Sequence, residues 1–449
     1  MQPTKLIDET FNTLDNQKVS RFHWHMVLTA GMGFFTDAYD LFVIGIVTSI
    51  LVPVWHITTM QIAVLNGASL ASAALGSVIF GWLSDLFGRK KLYGIEMIIL
   101  FIGAILSAVS PSFIFLLISR IIVGLGIGGD YPASAVVASE HSNQKNRGFL
   151  VLLVFAMQAV GLIVGPLFSS LLMITNIPHM MIWRLLLAFG AIPAAIAFYL
   201  RRKLSETQHC LLNKELPVEV SRVVSDLIDY KDPLAMHCSV KQKLFSKKWI
   251  KCLIGTATSW FLLDIAFYGT GISSVLIINK ISPHASLLRH TLISTTIFLC
   301  FAVPGYFFAA RYVDRIGRKP LQMLGFFVMS FCYFGIGVIH TAQTILPLFI
   351  ALFGLSFLFV NFGPNSTTFL IPSEIFPTNI RALGHGISAA IGKIGAFVGT
   401  FFLPILLKHV GLSLTMELVG LLSLMGVFTT LLVPEMKGRS LESIENNAV

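Results

Sequence analysis

The chain has 449 residues, of which 55% are hydrophobic and only 12% are charged, and its mean hydropathy is +0.80. Length alone would fit about three soluble domains. However, uncharged runs such as 98–119 and 416–434 are each long enough to cross about 30 Å of hydrocarbon. The formal net charge of +10 does not indicate nucleic-acid binding, because 26 of the 32 Lys and Arg residues fall in alternate loops and in the two tails. These totals exclude a set of soluble domains and predict a membrane protein with both termini in the cytoplasm.

The hydropathy pattern predicts an all-α membrane protein of about twelve transmembrane helices. No cleavable signal peptide is expected, since the polar first 21 residues lead into a span too long for a signal sequence. Five cysteines show no paired spacing, so we expect neither a disulfide framework nor a metal site, and no cofactor. The spans are predicted near 22–51, 60–83, 92–110, 112–139, 147–175, 182–200, 249–279, 290–311, 320–340, 344–371, 381–407 and 413–433.

One loop motif occurs twice. Gly81-Trp-Leu-Ser-Asp-Leu-Phe-Gly-Arg-Lys-Lys91 follows the second span, and Ala310-Arg-Tyr-Val-Asp-Arg-Ile-Gly-Arg-Lys-Pro320 follows the eighth. A tight basic turn with one acid at a helix end is typical of a cytoplasmic gate, because the acid and base can pair in one state and part in another. A glutamate followed by an arginine seven positions later also occurs in both halves. The gate candidates are Asp85, Arg89, Glu140, Arg147, Asp314, Arg318, Glu374 and Arg381.

These repeats indicate a duplicated chain. Asp85 and Asp314 are 229 positions apart and Glu140 and Glu374 are 234 apart, so the offset is close to constant. Parallel repeats of this kind place a substrate at mid-membrane between the halves, where rocking of one half against the other alternates access. We predict a tail at 1–20, a six-helix bundle at 21–200, a cytoplasmic loop at 201–248, a second six-helix bundle at 249–434 and a tail at 435–449.

The stretch from Gly124 to Glu140 places four glycines, an acid and a phenol in an otherwise apolar run. A charged side chain at the bilayer centre costs roughly 3 kcal/mol or more, so Asp130 is expected to face protein or water and to be functional. The glycines leave the helix without side chains, which lets another helix or a solute approach its backbone. A nucleotide-binding loop is disfavoured, because no strand precedes the run and no Gly-Lys-Ser/Thr follows it.

Two further acids, Asp37 and Asp40, lie three positions apart on the first span and therefore share a helix face. Two acids on one face of a transmembrane helix are typical of a proton-handling site. The alternative is an acid that is paired to a structural arginine such as Arg120.

The repeat offset also aligns polar residues of the spans, pairing Asp37 with Asp264, Tyr131 with Asn365 and Gln158 with Lys393. Equivalent points of the two halves are thus expected to face one central cavity. Lys393 is the candidate anion anchor and is expected to pair with Asp264 when the site is empty. The residues expected around it offer hydroxyl, amide and indole donors, and Trp260, Asp264 and Tyr268 share a helix face. The predicted binding set is Tyr131, Gln158, Trp260, Asp264, Tyr268, Asn365 and Lys393.

A structural interpretation of these residues stays open. Trp260 and Tyr268 can simply pack helices together, and Gln158 and Asn365 can act as polar contacts between membrane helices. Lys393 and Asp264 can form a purely structural ion pair. Packing alone, however, does not require one cation, several donors and several acids on matched helices.

The chain resembles the major facilitator superfamily over nearly its whole length. The resemblance is carried by the duplicated gate motif, by Pro372-Ser-Glu-Ile-Phe-Pro-Thr378 and by the ending Pro434-Glu-Met-Lys-Gly-Arg439. Within that superfamily, Gly128-Gly-Asp-Tyr-Pro-Ala-Ser-Ala-Val-Val-Ala-Ser-Glu140 is similar to the signature of the phosphate:proton symporters. The departures are an alanine at Ala133, where leucine is usual, and short tails.

The resemblance implies a substrate and a set of roles. It implies phosphate binding by the seven residues named above, and we expect proton coupling through Asp37, Asp40, Asp130 and Asp264. The expected partners are inorganic phosphate, protons and the lipid bilayer, with no nucleic acid. The protein is expected to work as a monomer in a plasma or bacterial inner membrane.

Three alternatives remain at this stage. The nearest is another carrier of the same superfamily, for a sugar or an organic anion. A non-transporting phosphate sensor would use 201–248 as a signalling segment, but that segment shows no recognisable folded domain. An enzyme is disfavoured, because buried acids and histidines such as His385 occur without a nucleophile and base arrangement or a metal-ligand spacing.

Overall fold

A computed structural model describes residues 21–87, 93–140, 142, 146–175, 177–202, 246–339, 343–376 and 378–438. All regular elements in these ranges are helical. The predicted tail at 1–20 and nearly all of the predicted loop at 201–248 lie outside the described residues.

We number the helices in chain order. One π-helical turn, Phe298–Ala302, interrupts the α-helices. The helices are α1 (Arg21–Trp55), α2 (Thr59–Phe87), α3 (Ile95–Ala108), α4 (Phe113–Glu140), α5 (Arg147–Ile174), α6 (His179–Phe189), α7 (Ala191–Arg202), α8 (Lys247–Ile272), α9 (Ser274–Ile281), α10 (Leu287–Ile297), α11 (Val303–Ile316), α12 (Arg318–Val338), α13 (Leu346–Phe362), α14 (Pro364–Ile375), α15 (Thr378–His409) and α16 (Gly411–Thr430).

The predicted all-α membrane fold is confirmed. Within the described ranges, 11 helical segments are long and apolar enough to cross a bilayer. The remaining predicted span, 92–110, corresponds to α3, an apolar helix of 14 residues. At 1.5 Å per residue α3 is about 21 Å long.

Several spans consist of two consecutive helices, and the break between α13 and α14 shapes the centre of the protein. Pro364 has no N–H to continue the helix, but it is well tolerated as the first residue of a new one. Gly325 of α12 packs against this break so closely that a Cβ there would overlap the Pro364 ring. Irregular backbone is tolerated at membrane depth where it is buried in protein or lines a cavity. The break places Asn365 in the first turn of α14, in the protein interior.

The glycines of α4 serve helix packing. A Cβ on Gly124 or Gly128 would overlap the carbonyl oxygens of Ser69 and Ala73 in α2. The hydroxyl of Ser77 donates to the Gly128 carbonyl at 2.9 Å. Of the two interpretations that the sequence left open, the structure therefore shows close approach of another helix.

We call α1–α7 the N-terminal helices and α8–α16 the C-terminal helices. Across the interface between these two groups, α2 packs along α15, and α5 packs along α10 and α11. The helix α1 contacts α8 and α9. Tyr131 and Gln158 of the N-terminal helices meet Tyr268, Asn365 and Lys393 of the C-terminal helices along this interface.

Candidate substrate-binding site

All seven residues of the predicted binding set are buried at this interface, with exposed fractions of 3% or less. They come from five helices, two in the first half of the chain and three in the second. The N-terminal helices α4 and α5 supply Tyr131 and Gln158, and the C-terminal helices α8, α14 and α15 supply the remainder.

Lys393 lies at the centre of the set. Its Nζ donates to the hydroxyl oxygens of Tyr131 at 3.1 Å and of Tyr268 at 3.0 Å. The same nitrogen lies 4.1 Å and 4.4 Å from the centres of those two rings. Asp264 Oδ2 is 3.5 Å away, which is longer than the roughly 2.7–2.9 Å of a charge-assisted hydrogen bond. The ammonium is thus surrounded by neutral phenols and one loosely held carboxylate, and an anion could compete with these groups for it.

Gln158 and Asn365 join the two groups of helices. Gln158 Nε2 lies 3.4 Å from the Tyr268 hydroxyl and 3.5 Å from that of Tyr131. Asn365 Nδ2 donates to Gln158 Oε1 at 3.2 Å. Trp260 lies beside this network, where its ring packs edge-on against His385 with centroids 5.5 Å apart.

Two residues of this network were missed in the sequence. Tyr306 of α11 donates to Gln158 Oε1 at 2.5 Å and accepts from Asn365 Nδ2 at 2.8 Å. Asn361 Oδ1 also accepts from Asn365 at 2.8 Å. Asn361 had a visible signal, because it lies four positions before Asn365, a spacing that brings side chains together along a helix. Tyr306 had no signal beyond being a phenol within an apolar span.

The two acids of α1 differ in their surroundings. Arg120 Nη1 lies 3.6 Å from Asp40 Oδ1, and Arg120 Nη2 donates to the Asp40 carbonyl oxygen at 2.9 Å. The arginine pairing considered for these acids is therefore present at Asp40. Asp37 is completely buried, and neither of its carboxylate oxygens has a hydrogen-bond partner among the described residues.

Asp130 lies in a tight ionic cluster that the sequence did not reveal. Arg201 Nη2 is 2.6 Å from Asp130 Oδ1, and Arg201 Nη1 is 2.6 Å from Glu96 Oε1. The Ser134 hydroxyl also donates to Asp130 Oδ1 at 2.6 Å. The Arg201 guanidinium lies 4.3 Å from the centre of the Tyr93 ring. The only sequence signals were a single acid early in an apolar span and an arginine at the end of another.

The second copy of the gate motif forms an ionic network. Arg318 makes two hydrogen bonds of 2.8 Å to the carboxylate of Glu374, and its Nη2 lies 2.9 Å from Asp314 Oδ1. Asp314 Oδ2 also accepts from the backbone N–H of Phe149 at 3.1 Å, which links α11 to the start of α5. Glu435, which we did not predict here, accepts from the backbone N–H groups of Arg318 and Lys319 at 3.1 Å and 2.8 Å.

The other gate candidates are placed less fully. Arg147 is buried at the first position of α5, and Arg381 Nε donates to the Phe376 carbonyl at 3.1 Å. Arg89 and the side chains of Asp85 and Glu140 lie outside the described part of the structure.

Comparisons with known proteins agree with this fold. The family model described as "Sugar (and other) transporter" matches residues 8–448. The "Probable inorganic phosphate transporter 1-7" of Arabidopsis thaliana is 36% identical over 96% of this chain and 94% of its own. The "Low affinity inorganic phosphate transporter 1" of Petunia hybrida is 35% identical over 97% of this chain and 95% of its own.

Solved structures show the same architecture. The proton:xylose symporter XylE bound to 6-bromo-6-deoxy-D-glucose superimposes with a TM-score of 0.76 over 95% of this chain and 99% of that one, at 18% identity. The partially occluded inward-open form of the E. coli xylose transporter gives a TM-score of 0.73 at 20% identity. At such identities the likeness establishes the fold alone. The family model and the curated relatives place the chain in the sugar (and other) transporter family of the major facilitator superfamily, as a member of its phosphate:proton symporter family.

Proposed function

We propose that this protein imports inorganic phosphate together with protons by alternating access. The observation that carries the proposal is the placement of Lys393 between Tyr131 and Tyr268, at the interface of the N- and C-terminal helices. The full-length relatives that are named inorganic phosphate transporters support phosphate as the substrate.

The site chemistry fits a tetrahedral oxyanion. Lys393 supplies the single cation, and Tyr131, Tyr268, Gln158 and Asn365 supply hydroxyl and amide donors within one network. Hydrogen bonds to an ionised oxygen are roughly twice as strong as neutral ones, so the donors of Tyr131, Tyr268 and Gln158 would turn to the anion while Asn365 stays bonded to Gln158 Oε1. A neutral sugar would need more hydrogen-bond acceptors than these residues provide.

Proton coupling supplies the energy of uptake. Moving one negative charge inward against an inside-negative potential costs about 2.3 kcal/mol per 100 mV, which co-transported protons can offset. In this proposal Asp37, Asp40 and Asp130 carry or relay protons. Asp37 is the best placed of them, because its buried oxygens have no hydrogen-bond partner in the described structure.

Asp264 is the proposed switch between binding and release. Its protonation removes a negative charge from the site and frees Lys393, 3.5 Å away, to bind phosphate. When the site opens inward and Asp264 loses its proton, the restored carboxylate competes for Lys393 and expels the anion.

Alternating access requires a barrier on each side of the site. Phe155 and Phe369 stack with centroids 4.6 Å apart, and Phe34 lies 5.2 Å from Phe369, so both groups of helices contribute to one aromatic cluster. Phe155 lies eight residues from the proposed cytoplasmic end of α5 and Phe369 six residues from that of α14, whereas Gln158 and Lys393 lie 11 and 15 residues from the cytoplasmic ends of their helices. We propose that this cluster and the contact between Asp314 and Phe149 separate on inward opening.

The proposal includes an orientation and a division of the chain. Segments 21–200 and 249–434 would move as two bodies, with 1–20, 201–248 and 435–449 in the cytoplasm of a plasma or bacterial inner membrane. One chain carries both walls of the path, so a monomer would suffice.

The test is uptake of labelled phosphate into proteoliposomes with an imposed proton gradient. We expect accumulation by wild type and a loss of at least about 100-fold in Lys393→Ala, the size of effect that follows from removing the charged partner of a bound ion. Lys408→Ala is the matched control, since Lys408 is exposed at the end of the same helix. Wild-type uptake that is blocked by a sugar or organic anion but not by arsenate would favour another carrier of the superfamily. Binding of phosphate without movement would favour the sensor.

A further inference from the structure

A chain of hydrogen bonds runs from a backbone carbonyl into the proposed phosphate site. It begins at the carbonyl of Phe357, passes through Asn361, Asn365 and Tyr306, and ends at Gln158. Every side chain in it is buried, with exposed fractions of 3% or less. Amide groups can turn either way around, so the direction of each bond must follow from its neighbours.

The backbone carbonyl sets the direction of the first two bonds. Asn361 Nδ2 lies 2.7 Å from the Phe357 oxygen. A carbonyl oxygen can only accept, so the amide nitrogen of Asn361 must face it. Asn361 Oδ1 then faces Asn365 at 2.8 Å, and this oxygen requires the amide nitrogen of Asn365 opposite it.

The remaining bonds follow in turn. Asn365 Nδ2 donates to the Tyr306 oxygen at 2.8 Å. The single hydroxyl proton of Tyr306 therefore points to its other neighbour, Gln158 Oε1, at 2.5 Å. With its oxygen held in this way, Gln158 turns Nε2 toward Tyr131 and Tyr268.

We propose that Asn361 and Tyr306 are positioning residues that hold Gln158 as a pure donor toward the bound anion. This inference rests on the proposed phosphate transport and deepens it. A reversed Gln158 amide would point a carbonyl oxygen at an anionic oxygen, which repels it. The same fixed orientation denies a polyol an acceptor, so it selects for an oxyanion among solutes of similar size.

The first test is Asn361→Leu, assayed by gradient-driven phosphate uptake into proteoliposomes. We expect KM to rise about tenfold with kcat within about twofold, the size expected when a donor to a charged group is lost. Asn361→Asp is the conservative variant. It keeps an oxygen facing Asn365 and, when protonated, donates to the Phe357 carbonyl, so KM should return to within about threefold of wild type.

Gln322→Leu is the matched control for loss of a buried amide. Gln322 of α12 bonds to Thr430 at 2.8 Å and to Thr367 at 3.0 Å, outside the chain that ends at Gln158. Gln322→Leu should lose stability because a buried amide is removed, but its KM for phosphate should equal that of wild type.

Tyr306→Phe provides a second route if Asn361→Leu gives no folded protein. Its control is Tyr333→Phe, whose hydroxyl bonds to Thr270 at 3.2 Å in another part of the same helical group. Because Asn365 still contacts Gln158 Oε1 at 3.2 Å, we expect a rise in KM of only about threefold for Tyr306→Phe and none for the control.

The outcomes separate this inference from the proposed function. Wild type that transports phosphate while Asn361→Leu or Tyr306→Phe keeps the wild-type KM would overturn the positioning role alone. A rise in KM that Gln322→Leu shares would overturn it too, since the effect would then be general loosening. Wild type that neither binds nor moves phosphate would overturn both proposals.

Discussion

Two buried cations of this protein have very different surroundings. Arg201 lies within 2.6 Å of two carboxylates, those of Glu96 and Asp130. Lys393 has one carboxylate, that of Asp264, at 3.5 Å, and otherwise neutral phenols. A guanidinium binds two acids through its fixed set of donors, whereas an ammonium is a compact charge whose partners exchange easily. The first cation already has two carboxylate partners and holds three helices together, and we call Arg201, Glu96 and Asp130 the saturated cluster. The second cation is able to accept a ligand.

The largest expected effect tests the saturated cluster. Arg201→Leu leaves Glu96 and Asp130 buried without a cation, so we expect the free energy of unfolding to fall by about 3–5 kcal/mol. Thermal unfolding in detergent and the yield of folded protein measure this. Arg202→Leu is the control, because the neighbouring Arg202 is exposed. An Arg201→Leu protein as stable as wild type would contradict the structural role.

The next effect tests the open site. Asp264→Asn should retain the fold but lower gradient-driven phosphate accumulation by at least about tenfold, because the charge that releases Lys393 no longer changes. Exchange of labelled for unlabelled phosphate at equal concentrations should continue, since it needs no net proton movement. Full proton-driven concentrative uptake by Asp264→Asn would contradict the switch. Glu417→Gln, at a half-buried acid of α16 outside the site and the gate, serves as the control for loss of a carboxylate elsewhere in the C-terminal helices.

A smaller difference is expected between the two acids of α1. Asp40→Asn weakens the pair with Arg120, so we expect a loss of about 1–3 kcal/mol in unfolding free energy. Asp37→Asn removes no ion pair that the described structure shows. It should leave stability within about 0.5 kcal/mol while lowering proton-driven accumulation. If the two variants lost equal stability and showed equal uptake, Asp37 and Asp40 would not have the different roles inferred here.

The smallest effect is expected at the gate. In Asp314→Asn the amide oxygen can still accept from the Phe149 N–H, and Arg318 keeps both bonds to Glu374. We expect a change of about 0.5–1.5 kcal/mol in the balance between closed and open cytoplasmic sides, and less than about threefold in uptake. Labelling of a cysteine placed next to Phe155 from the cytoplasmic side measures the opening. Strongly increased labelling would mean that this contact holds the gate alone.

Much of the central network could be predicted because polar residues recur at a nearly constant offset in the sequence. The constant offset matched Gln158 with Lys393 and Tyr131 with Asn365, and the structure brings these side chains into one network. The helical spacing of Trp260, Asp264 and Tyr268 likewise placed them together on α8. Polar residues at equivalent positions of two repeats must face the shared interface, so a pattern along the chain was enough to find them.

The parts that escaped prediction depend on which helices meet. Glu96 and Arg201 are 105 positions apart, and Tyr306 and Gln158 are 148 apart. Neither pair is related by the repeat offset, so no spacing in the sequence predicts these contacts. The role of the glycines in α4 was likewise open until α2 was seen to pack directly against the α4 backbone.

The sequence by itself determined the transmembrane helices, the spacing of the repeated motifs and the residue types that meet at the centre. The length of an apolar run and the helical spacing of its residues are local properties of the chain, so they can be recognised in the sequence. Only the tertiary structure decided which buried charge is saturated and which amide is held in one orientation. Those properties depend on how many partners converge on one atom, and the partners come from helices that the chain order does not relate.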